Sequence, residues 1–209
     1  MKSDNFEKEL PEGYELKLHI DAKSRKLRAI YLALGLVPIL IMVVVACPII
    51  EFVGGGLDSL DEPYGHVAWL IAVVVLMAYI VLHELVHGIT YKALTGGKLT
   101  FGLSWDVAFC GVPDIFVYRK AAKISALMPF IVFTIIFVGL AVGLYFVNDC
   151  AFLVAALVLG MHIGGCVGDL HVTYMLDHKF KDSKTLMRDT GPEQFFYVYT
   201  GVTNSDITE

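Results

Sequence analysis

His83, Glu84 and His87 stand within five residues of one another in an otherwise apolar run from Val81 to Gly88. If that run is helical, the two histidines lie about 40° apart on one face, and both imidazoles can reach a single tetrahedral metal ion. Glu84 sits beside them, where a carboxylate can take a proton from a water that the ion activates. Two ligands and a general base at His-Glu-x-x-His spacing are the parts of a zinc hydrolase. The setting sharpens the reading. A charged or strongly polar side chain inside a membrane span costs about 2.5 to 3.5 kcal/mol, so three in five residues call for a compensating ion.

The elements that must position these groups follow from composition. Of 209 residues, 56% are hydrophobic and 18% charged, with a mean hydropathy of +0.67, which excludes an ordinary soluble domain. Four apolar runs are long enough to cross a bilayer: 29–50, 67–89, 124–147 and 151–175. The first follows a polar segment of 28 residues and so reads as a retained anchor rather than a cleaved signal. All sixteen Lys and Arg fall before the first run, between the second and third, or after the fourth. The connections 51–66 and 148–150 have none, although the first carries Glu51, Asp58, Asp61 and Glu62. By the positive-inside rule both termini are cytoplasmic. The expected fold is an all-α membrane protein of about four transmembrane helices with a small cytoplasmic β-hairpin or sheet. It divides into a cytoplasmic segment at 1–28, a four-span domain at 29–176 and a cytoplasmic segment at 177–209.

Three stretches carry strand patterns. Tyr14 to Asp21 alternates apolar and polar residues, and Phe195 to Tyr199 can join it in a small sheet. From Leu99 to Phe109 every second residue is apolar, including Trp105 and Val107; Gly111-Val112-Pro113-Asp114 then offers a turn and Ile115 to Tyr118 a return strand. The pattern predicts a hairpin over about 99–118, which either rests on the membrane surface or presents an edge to an extended substrate. Cys47, Cys110, Cys150 and Cys166 have no C-x-x-C spacing and imply no disulfide framework. Neither a phosphate-binding glycine loop nor a basic nucleic-acid patch is present. Asn204 to Glu209 reads as a polar tail.

The fourth run holds His162, Asp169 and His171 among Gly160, Gly164, Gly165 and Gly168. On one continuous helix His162 and Asp169, seven residues apart, share a face, and His171 points elsewhere. Asp169 in lipid would be expensive, so it is expected to face the interior and a cation. Counted back from the cytoplasmic ends, the His83/His87 pair lies about 10 Å deep and Asp169 about 12 Å. His162 lies about 10 Å further from that end than Asp169.

With His83-Glu84-Leu85-Val86-His87-Gly88 in one span and Gly168-Asp169-Leu170 in a later one, the chain resembles the zincin-peptidase group DUF3267, small prokaryotic membrane proteins similar to site-2 proteases. Ala126-Leu127-Met128-Pro129 is similar to the Pro-containing segment of that class. The resemblance implies one Zn2+ held by His83, His87 and Asp169, with Glu84 as catalytic acid and base. The site-2 pattern of Asn and Pro ahead of an Asp-Gly pair is absent, with Met161-His162-Ile163 and Asp169-Leu170 in its place. His162 could polarise the substrate, or be a core histidine with its hydrogen bonds satisfied. The expected activity is hydrolysis of peptide bonds within or next to a prokaryotic plasma membrane, with a membrane-protein or membrane-proximal peptide as substrate and the lipid bilayer as surroundings. The alternative is a non-catalytic membrane metal-binding, scaffold or regulatory protein. A fourth protein ligand, His162 or Cys166, would favour that alternative, because structural zinc sites are closed.

Overall fold

The computed structural model describes residues 5–58, 65–103 and 108–201. Asp61, Glu62, Ser104 to Val107 and the tail from Asn204 lie outside the described residues. The chain runs β1 (Phe6–Glu7), β2 (Tyr14–Asp21), α1 (Arg25–Phe52), α2 (Gly65–Thr95), β3 (Thr100–Leu103), β4 (Ala108–Gly111) and β5 (Phe116–Tyr118). Then come α3 (Arg119–Tyr145), α4 (Asp149–Gly165), α5 (Val167–Tyr174), a π-helical turn (Met175–Lys179), β6 (Leu186–Asp189) and β7 (Glu193–Tyr199). The architecture is mostly helical with a small antiparallel sheet. Three helices, α1, α2 from Trp69 and α3, are long and apolar enough to cross a membrane; α4 with the segment from α5 makes a fourth if the pair is one span. These are the four runs expected from hydropathy, with one change. The fourth is broken at Cys166, so the 3.6-residue periodicity that would set His162 and Asp169 on one face does not carry through.

The chain forms two compact units. One comprises 1–28, 83–129 and 169–209; the other comprises 29–82 and 130–168. In the first, five strands pair in the order β1-β5-β6-β7-β2, all antiparallel. The expected partnership of the amino-terminal strand with Phe195 to Tyr199 is there, with Tyr14 opposite Tyr199 and a register shift between Leu16 and Leu18. Beneath the sheet a core gathers Ile20, Tyr91, Val117, Ala122, Leu176 and Phe196. Arg119 donates to Leu176 O at 2.7 Å and to Asp177 at 2.8 Å, and Lys123 reaches Asp177 at 2.9 Å, which holds the start of α3 to the end of the segment bearing Asp169.

The hairpin differs from expectation. Thr100 to Leu103 pairs antiparallel with Ala108 to Gly111, so the alternating run folds back on itself instead of continuing as one strand. Phe116 to Tyr118 leaves it for the five-stranded sheet, between β1 and β6. Alternation fixes which face a residue takes but not which strand lies beside it.

In the second unit α1 and α4 approach closely. A Cβ on Gly164 would strike the carbonyl of Gly35, and one on Gly160 would lie 2.9 Å from the backbone of Ile39. Small residues thus bring two helical backbones together, as is common between apolar helices. Ala46, Ile50, Phe152 and Ala156 are buried beside that crossing.

Candidate metal centre

In the first unit α2 and α5 bring His83, His87 and Asp169 together. The Nε2 atom of His83 lies 3.2 Å from Asp169 Oδ2, and the Nε2 atom of His87 lies 3.4 Å from Asp169 Oδ1. One ligand atom from each residue falls within 4.8 Å of the other two. Both histidines are buried and Asp169 is half-buried. Zn2+ binds N and O donors at about 2.0–2.2 Å, so adjacent donors of a tetrahedral site stand about 3.3–3.5 Å apart. The His–Asp separations, each to a different oxygen of the carboxylate, are close to that spacing, and the donor set of two imidazoles and a carboxylate suits zinc.

The tautomer of His87 follows from its second nitrogen. Nδ1 lies 2.8 Å from the carbonyl oxygen of Ser125, which can only accept, so Nδ1 carries a proton and Nε2 is the atom turned to Asp169, where a neutral ring would offer its lone pair to an ion. A ligating histidine is commonly oriented by such an outer bond. Glu84, next to His83 and half-buried, interacts electrostatically with His87, His83 and Asp169.

Gly88 opens the neighbouring surface. A Cβ there would lie 2.6 Å from the ring of Phe101, 3.2 Å from Cys110 Sγ and 3.2 Å from Leu99. The β3–β4 hairpin therefore lies directly on α2, one residue past His87. Burial pushes the Cys110 thiol up to about 12, so this cysteine is an inert packing group at neutral pH.

His162 belongs to the second unit. It is fully buried there: Tyr79 OH donates to Nδ1 at 2.7 Å and Nε2 donates to Phe130 O at 3.3 Å and Thr134 Oγ1 at 3.1 Å. Phe133 and Phe137 stand edge-on to its ring. Both ring nitrogens of His162 thus have hydrogen-bond partners. Cys166 is buried nearby, its sulfur 3.7 Å from His162 Nδ1. His171, on α5, is half-buried.

Two residues beyond the motif also converge on α2. The hydroxyl of Tyr91, four residues past His87, donates to Asp189 Oδ2 at 2.7 Å, and Gly191 N donates to Asp189 Oδ1 at 2.9 Å. Burial pushes the Asp189 carboxyl up to about 6, against the opposing pull of these two bonds and of His87. The Tyr91 spacing is readable on a helix; its partner, 98 residues away, is not.

No curated protein and no solved structure matches the chain. A family model, DUF3267, described as "Putative zincin peptidase", matches residues 63–184. That stretch is more than half of the chain and contains the His-Glu-x-x-His helix and Asp169, so the protein belongs to the DUF3267 family.

Proposed function

We propose that the protein is an integral-membrane zinc metallopeptidase that cleaves peptide bonds within or next to the bilayer. The observation that carries this reading is the meeting of His83, His87 and Asp169 at zinc-like spacing beside Glu84. One Zn2+ held by these three residues would supply Lewis acidity, lowering the pKa of a water to near neutrality and polarising the scissile carbonyl. The Glu84 carboxylate takes the proton of the attacking water and returns it to the leaving amine nitrogen. The Ser125 carbonyl keeps the His87 ring in one orientation throughout.

Peptide bonds in a helix are shielded by their own hydrogen bonds, so the substrate must be extended where it is cut. The outer edge of β3 faces no other strand among the described residues, with Phe101 and Leu103 half to largely exposed. An extended peptide added there would run beside α2 close to His87. Charge supports the orientation. The three segments that carry every Lys and Arg contribute strands or strand-flanking residues to one five-stranded sheet, which supports a common side of the membrane for all three. That side is the cytoplasm, with both termini on it.

The test is comparative membrane proteomics of cells that carry either the native chain or Glu84→Ala. Fragments of membrane proteins that arise only with the native chain are expected. Indistinguishable fragment sets would remove the peptidase reading.

A further inference from the structure

Asp189 is the most enclosed acid among the described residues, 7% exposed at the end of β6. As packing alone a carboxylate is a poor choice for such a site, since an apolar side chain of similar volume serves stability as well or better. Its surroundings show what it holds. Oδ2 accepts from Tyr91 OH on α2, Oδ1 accepts from Gly191 N in the turn to β7, and its main-chain oxygen accepts from Val112 N at 2.8 Å, just past β4. Arg188 beside it donates to Pro113 O at 2.8 Å. Gly111 closes against the backbone of Thr190 and Gly191 so tightly that no Cβ fits. One residue thus joins the helix of the histidines to the end of the β3–β4 hairpin.

Tyr91 is the lever. It follows His87 by four residues, so it lies about 40° around α2 from that ligand and about 6 Å along it. Its ring is 2% exposed in the core with Val112, Val117, Ala122, Leu176 and Phe196, and its hydroxyl ends on a carboxylate, an acceptor that makes hydrogen bonds stronger than neutral ones. Rotation of α2 about its axis would break this bond and carry both histidines away from Asp169.

We propose that Asp189 is a positioning residue for the metal centre: through Tyr91 it sets the rotation of α2, and through Val112 it keeps the hairpin in register with that helix. The assignment rests on His83 and His87 being zinc ligands. It needs a side chain at position 189 that bonds both Tyr91 and Gly191 more than it needs the negative charge, because an amide there can accept from Gly191 N and donate to the Tyr91 oxygen.

The experiment uses the full chain in detergent or nanodiscs, with zinc affinity measured by chelator competition and the visible spectrum recorded after Co2+ loading. Tyr91→Phe removes one hydroxyl and leaves the ring in the core; it should weaken zinc by about 3- to 10-fold and shift the Co2+ bands, below the roughly 10- to 100-fold of direct outer-sphere partners. Asp189→Leu should weaken it at least as much, and Asp189→Asn should restore affinity to within about threefold of the native chain. If Asp189→Leu does not fold, the Tyr91→Phe and Asp189→Asn results decide. Native affinity and spectrum in Tyr91→Phe would overturn the proposal, as would an Asp189→Asn variant as weak as Tyr91→Phe. A native chain that binds no zinc would overturn the ligand reading itself, and this assignment with it.

Discussion

His83 Nε2 and Asp169 Oδ2, from residues 86 apart in sequence, stand 3.2 Å from each other with His87 Nε2 3.4 Å from the second carboxylate oxygen. Such spacing is long for a strong charge-assisted hydrogen bond and right for two donors that share a tetrahedral ion.

Removal of Asp169 should therefore remove the ion. Asp169→Ala is expected to lose zinc by well over the roughly 10- to 100-fold that changes behind a ligand cause, whereas His171→Ala should keep native zinc content. Metal content of the purified variants checks both, and full retention by Asp169→Ala would mean that another residue completes the site.

His162 should act on stability and not on zinc. Tyr79→Phe removes the hydroxyl that bonds His162 Nδ1 at 2.7 Å and is expected to cost about 1 kcal/mol, with zinc affinity unchanged. Denaturant titration and zinc titration of the same preparation separate the two effects. A variant with native stability and weakened zinc would move His162 from the core to the metal.

Gly88 should separate binding of the metal from use of it. A side chain at this position meets Phe101 first, so Gly88→Val should push the hairpin off α2 while leaving the two histidines on their helix. Cleavage is expected to fall by about 10-fold or more with zinc content retained, since small misplacements of substrate are costly. Native cleavage rates in this variant would count against the hairpin as the substrate's seat.

The chemistry of α2 was legible because helical spacing is local: four residues decide that His83 and His87 share a face, and depth from the positive ends brought Asp169 to the same level. The strand pairing was only half legible. Tyr14 to Asp21 and Phe195 to Tyr199 were readable as strands, but the place of β5 between β1 and β6 depends on neighbours far along the chain that alternation does not name. Asp189 was hidden for the same reason, since its contacts to Tyr91 and Val112 exist only once the sheet is formed. The break at Cys166 lies in a Gly-rich stretch, where weak helix propensity allows a break without fixing its position.

Acid should report on Asp189. Its carboxyl keeps a proton up to about 6 when folded, against 3.8 as the ordinary value, so between these limits the folded chain binds more protons than the unfolded one. Stability of the zinc-free protein then falls as pH rises through that window, by at most about 3 kcal/mol from this group, and the contribution is flat above it. Unfolding of the native chain and of Asp189→Asn across pH 4 to 7 isolates the effect as a difference in slope. Identical slopes would place the raised carboxyl elsewhere.

The most direct measurement is cleavage of single-span peptides by the purified native chain and by Glu84→Ala, each carrying the same measured amount of zinc. If Glu84 moves the proton and is not among the ligands, the variant should hold its zinc and lose cleavage by at least about 100-fold, the range general acid–base catalysis supplies. Equal product from the two proteins at equal zinc would contradict the account at its centre.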